Sequence, residues 1–104
     1  MIFEVVDQFH RRLQLTKERF EHILEHPEMN ESETERIKET LLVPDVIKQS
    51  KHDKKVWLYY KLYEKTPVTK KQLVVVVKVL NHRGFVITSF FTDKVKEGIT
   101  VWQR

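Results

Sequence analysis

The chain contains no cysteine, which excludes disulfides and thiolate metal centres and leaves the redox compartment open. Only two glycines occur, Gly84 and Gly98, so a glycine-rich loop that cradles phosphate through backbone N–H groups cannot be built. Prolines are also few: Pro27 and Pro44 each close a helical pattern and Pro67 falls in a loop. No apolar run approaches the ~20 residues of a membrane span. Met1-Ile2-Phe3-Glu4 lacks a basic region followed by an apolar stretch, so no signal peptide is expected and the cytoplasm is the expected location.

What is present describes one folded unit. A hydrophobic fraction of 40% beside 33% charged residues supports a core and argues against disorder, and 104 residues suffice for a single domain, 1–104. The net charge is +4, unevenly spread. Acid is concentrated between Glu18 and Glu39, whereas from Lys48 onward bases dominate, including Lys61, Lys78, Lys94, Lys96 and Arg104. A polarised surface of this kind attracts phosphate. A solubilising coat of lysine on turns would give the same count.

Periodicity predicts the elements. Residues 2–15 read as a hairpin, with Phe3, Val5, Leu13 and Leu15 alternating with polar neighbours around Asp7-Gln8-Phe9-His10. Thr16 is positioned to cap a first helix over about 17–26, which carries Phe20, Ile23 and Leu24 and stops at Pro27. Ile37 and Leu41 mark a second helix over 33–42, ended by Pro44, with a short edge piece at Val46-Ile47. Three longer runs follow: Val56–Tyr63, Leu73–Leu80 and Phe85–Phe91. Joined by short links, they predict an antiparallel meander, and Ile99–Trp102 reads as a last short strand after Lys96-Glu97-Gly98. Gly84 or Asn81 is expected to supply positive φ at the tight turn between the last two long runs. The expected class is α+β: two helices on an antiparallel β-meander, with an N-terminal β-hairpin.

Few residues stand out chemically. His22 and His26, four apart, share a predicted helix face with Glu18. His-x-x-x-His is a metal-ligand spacing, but Ile23 follows the first histidine where zinc proteases carry Glu, and no strong third ligand follows, so no metal is expected. A solvated or core-rim pair is one alternative. Acid–base work is the other, because histidine's ordinary titration range spans neutrality. Lys78 interrupts the valine run, where an unpaired charge is costly to bury, so it either snorkels at a sheet margin or meets an anion. Thr88 and Ser89 point to opposite faces. A four-residue turn would pair Lys78 with Ile87 and a three-residue turn with Thr88, and the sequence leaves both open. Tyr59 and Tyr60 also oppose each other, and an exposed aromatic among lysines can stack a base.

The order of these residues resembles that of the phage-associated Barnase–EndoU–colicin–RelE-like nucleases. The resemblance rests on Leu15-Thr16, Arg19-Phe20-x-His22-Ile23, His26-Pro27-Glu28, Ile37-Lys38-x-Thr40-Leu41 and Pro44-Asp45. It continues through Val75-Val76-Val77-Lys78, Val86-Ile87-Thr88 and Lys94-x-Lys96-x-Gly98, ending at Trp102. No single motif is specific; the ordered set carries the likeness from about Leu15 to Trp102, with the N-terminal hairpin as an addition. The resemblance implies two helices packed on a four-stranded antiparallel β-meander, and metal-independent, cofactor-free cleavage of RNA through 2′-OH attack, in a toxin or phage effector with a neutralising antitoxin as partner. By position it implies His22, His26, Lys78 and Thr88 as catalytic, with Arg19 at the corresponding basic position on the first helix; Arg19, Tyr60 and Lys96 are the expected RNA contacts. A non-catalytic RNA- or protein-binding module of the same fold is the rival reading.

Overall fold

Seven strands and two helices follow one another as β1 (Phe3–Val6), β2 (Arg12–Leu15), α1 (Lys17–Ile23), α2 (Thr34–Leu42), β3 (Val46–Gln49), β4 (Val56–Tyr63), β5 (Lys71–Val79), β6 (Arg83–Thr92) and β7 (Ile99–Gln103). They come from a computed structural model that describes residues 1–96 and 98–104, so Glu97 of the expected Lys96-Glu97-Gly98 link lies outside the described residues. All strands join one mixed sheet in the order β1-β2-β6-β5-β4-β3-β7. The expected antiparallel meander holds for β4, β5 and β6. The four-stranded sheet does not. β2 pairs in parallel with the start of β6, Leu13 opposite Gly84, and so brings the N-terminal hairpin into the same sheet. On the other flank β3 is interior rather than an edge, because β7 returns antiparallel to it.

Alternation along the strands separates two faces. Leu73, Val75, Val77 and Val79 of β5, with Trp57 and Tyr59 of β4 and Val86 and Phe91 of β6, join the core beneath the helices. Phe20 and Ile23 of α1 and Ile37 and Leu41 of α2 complete that core. A fully buried aliphatic side chain contributes roughly 1.5–3 kcal/mol relative to an exposed one, so this stripe is what holds both helices to the sheet. The opposite face carries the alternate residues, among them Lys78, Val76, Val74 and Tyr60.

Gly84 has a role other than the one its turn position suggests. Neither Gly84 nor Asn81 has positive φ; among the described non-glycine residues only His10 and Thr69 do. Asn81-His82 alone makes the turn, closed by the Leu80 N–H to Arg83 O at 2.7 Å. Gly84 lies inside β6, where an added Cβ would sit 2.6 Å from Lys78 O and 3.0 Å from Leu13 Cδ2. Gly84→Ala is therefore expected to cost about 1–3 kcal/mol by overpacking. Urea unfolding should report a lower midpoint at unchanged slope, and an unchanged midpoint would mean that the strands have room to move apart.

Candidate functional site

His26 reaches the sheet because α1 stops early. The helix ends at Ile23, three residues short of expectation, and Glu25 and His26 donate N–H bonds to His22 O (3.1 Å) and Ile23 O (3.0 Å) in a tightened turn. Pro27 explains the stop, since the residue before proline avoids helical ψ. Met29, buried and donating its N–H to His26 O at 3.0 Å, anchors the far side of the turn. The shared helical stripe of His22 and His26 therefore does not form. His22 stays exposed on α1, its Nδ1 3.4 Å from the Glu25 carboxylate. The His26 imidazole instead stands with Nε2 3.4 Å from Thr88 Oγ1 and its ring centroid 5.5 Å from that of Phe90. That contact is at the long end of hydrogen bonding.

Thr88 points away from the helices because of a bulge. The pairing runs Lys78 with Phe85 and Val77 with Val86, then slips by one so that Val76 faces Thr88. Without the extra residue, Thr88 would pair with Val75 and turn inward. Neither register left open by the turn lengths occurs, because the loop is two residues and the slip lies within the strand. Ser89 consequently faces the core side, where its hydroxyl donates to Val74 O at 2.8 Å.

Lys78 lies on the same face, one residue pair from the Val76–Thr88 pair. Its ammonium is not free: Nζ donates to Asp53 Oδ2 at 2.8 Å. Asp53 sits in the turn before β4, where its Oδ1 accepts the Lys55 N–H at 2.9 Å. The Lys78 hydrogen bond, reinforced by that N–H, holds the Asp53 carboxyl below the ordinary carboxylate range. A depressed carboxyl keeps its charge above the ordinary range and loses it only as pH falls through the lowered value, so the pair is intact at neutral pH. Asp53 went unnoticed in the sequence, where Lys51-His52-Asp53-Lys54-Lys55 reads as a charged turn; a carboxylate opening a strand hydrogen-bonded to a lysine-bearing strand was the available signal.

The expected RNA contacts divide. Tyr60 is 1% exposed, so its ring is packed against the sheet rather than presented to a base. Burial raises its hydroxyl above the ordinary phenol range, and the oxygen accepts the Lys96 N–H at 3.3 Å. The Lys96 side chain is exposed, and Arg19 is half-buried on α1 without an ion pair among the described residues. Half-exposed Phe85 and Phe90, beside Lys78 and His26, are the aromatics this face presents. Among the described residues no three His, Asp or Glu side chains converge to hold a metal ion. No described helix is long and apolar enough to cross a membrane.

No curated protein and no solved structure matches the chain. One family does, and its match runs from residue 4 to residue 103, taking in both helices and, but for Phe3 at the start of β1, the N-terminal hairpin and the rest of the sheet. The chain belongs to the family described as phage-Barnase-EndoU-ColicinE5/D-RelE like nuclease2.

Proposed function

We propose that this chain is a metal-independent endoribonuclease acting in the cytoplasm as a toxin or phage effector, with RNA as substrate and an antitoxin protein as its neutralising partner. The observation that carries the reading is the common face of His26, Thr88 and the Lys78–Asp53 pair in a chain of a nuclease family. Cleavage requires the ribose 2′-OH to attack the adjacent phosphorus while the P–O5′ bond breaks. One proton must leave the 2′ oxygen and another must reach the departing 5′ oxygen. His26 takes the proton from the 2′ oxygen and solvent water supplies the one for the departing 5′ oxygen. Lys78, held by Asp53, faces the charge developing on the phosphate, and Thr88 donates a hydrogen bond to a phosphate oxygen. Arg19 and Lys96 add cationic contacts to the strand. His22, turned toward Glu25, is left outside this set. RNA is favoured over DNA because only RNA has the attacking hydroxyl.

The reading is tested by incubating the protein with mixed-sequence RNA in excess EDTA and analysing the ends by mass spectrometry. Undiminished cleavage leaving 2′,3′-cyclic phosphates is expected. Loss of cleavage in EDTA with recovery on adding zinc would establish a metal mechanism instead. Binding without cleavage would favour the non-catalytic module.

A further inference from the structure

We infer that Arg12 and Arg83 form a second phosphate-binding subsite, which holds the RNA strand to one side of the cleavage site. The inference deepens the nucleic-acid reading above and rests on it. Arg12 and Arg83 are direct partners in the parallel β2–β6 ladder. Both are exposed, and neither has an ion pair among the described residues. Like charges directly opposite in a ladder repel, so this pair is unfavourable unless an anion lies between the guanidiniums. The two arginines line a concavity of about 600 Å³ with His10, Leu80, Asn81 and His82, and no carboxylate is among these residues. The two acids of the N-terminal hairpin are engaged elsewhere. Asp7 is buried against Arg11 and Tyr59, and Glu4 accepts the side-chain N–H of Gln14 at 3.2 Å.

Two further features fit an occupant. His10 holds φ at 63°, a left-handed backbone uncommon outside glycine, at the rim of the concavity. Leu13 is in the core, so Arg12 points to the face away from the helices; Arg83 does likewise, because its neighbour Gly84 lies against Leu13 and Val77. That is the face of Lys78 and Thr88. Along β6 the distance from Arg83 to Thr88 is five residues, or ~16 Å at 3.3 Å per residue. Phe85 stands between them, opposite Lys78, as a stacking surface for an intervening base. An extended single strand of a few nucleotides would therefore meet a phosphate clamp, an aromatic ring and the Lys78–Thr88–His26 set in turn.

The test measures binding of a fluorescent 2′-O-methyl decanucleotide, which cannot be cleaved, from about 50 to 200 mM salt. Three proteins are compared: wild type, Arg12→Gln/Arg83→Gln, and the charge-matched control Lys17→Gln/Lys38→Gln on the helices. The arginine variant should bind about tenfold more weakly, with its log–log salt slope lower by roughly 1.4, the value for two phosphate contacts to a single strand. The control should match wild type. Both arginines are exposed, so thermal unfolding should show an arginine variant at least as stable as wild type once the repulsion is relieved; Arg83→Gln alone provides a second variant. An arginine variant that binds no more weakly than the control would overturn the inference, as would a wild type that does not bind. Cleavage of the corresponding RNA is followed separately. Cleavage by wild type with unaltered binding by the arginine variant removes the subsite and keeps the nuclease, whereas the expected binding difference without cleavage keeps the subsite and removes the nuclease.

Discussion

Asp7→Ala should destabilise the fold by about 3–5 kcal/mol, the usual cost of removing one partner from a buried charged network. Asp7 is 6% exposed at the β1–β2 turn. Its Oδ1 accepts the N–H groups of Phe9 and Arg11, each at 2.9 Å, and Oδ2 accepts the Tyr59 hydroxyl at 2.6 Å. The Arg11 guanidinium lies 3.7 Å from the same oxygen and 4.3 Å from the Trp57 ring centroid. Truncation leaves a fully buried hydroxyl without its acceptor and an arginine without its anion, and unties the hairpin from β4. Against a typical total stability of about 5–15 kcal/mol, that is a large fraction. Tyr59→Phe removes a single donor and should cost only about 1 kcal/mol. Chemical denaturation of both variants checks the ordering. An Asp7→Ala protein within about 0.5 kcal/mol of wild type, the range of ordinary surface substitutions, would show that the network does not hold the hairpin.

Lys78→Ala should lower turnover by ~10²-fold or more while changing RNA affinity far less, as expected when an electrostatic stabiliser of the transition state is removed. The ammonium already has a partner in Asp53, and the two act as a unit: Asp53 holds Nζ over the open face, and the developing phosphate charge competes for it. Asp53→Asn should therefore also reduce turnover, through loss of the ammonium's anchor. His26→Ala should match or exceed the Lys78 effect, whereas Thr88→Ser, which keeps the hydroxyl, should be mild. Single-turnover rates beside affinities for an uncleavable analogue separate the two effects. Equal losses in rate and affinity for Lys78→Ala would make it a general binding residue.

The sequence made the strands legible wherever their residues alternate or run apolar, as in β4, β5 and β6. Thr16 likewise marked the start of α1, and its hydroxyl accepts the Arg19 N–H at 3.2 Å. The rest depended on non-local geometry. β3 and β7 were each legible as short extended pieces, but both are half-polar and nothing in them marks their pairing with one another. The parallel β2–β6 ladder joins segments about seventy residues apart, with no local signal beyond a glycine that both neighbouring strands crowd. The β6 bulge decides that Thr88 rather than Ile87 meets Val76, and a one-residue slip leaves no mark in the pattern. Lys78 was legible as a lysine among valines and His26 as one of two histidines four apart, although the helical face they were expected to share does not form. Thr88 was already a candidate by its place in the family pattern, but its contact with His26 and the Asp53 partner of Lys78 emerged only with the fold.

The central claim, that this face cleaves RNA through the neighbouring 2′-OH, is tested most directly with DNA oligonucleotides that each contain one ribose, one for each base. Wild type should cut at least one of them, only on the 3′ side of the ribose, leaving a 2′,3′-cyclic phosphate and a 5′-hydroxyl. His26→Ala and Lys78→Ala should cut at the same position at least ~10²-fold more slowly. Intact oligonucleotides with wild type, scission at deoxyriboses, or unchanged rates in both variants would contradict the account.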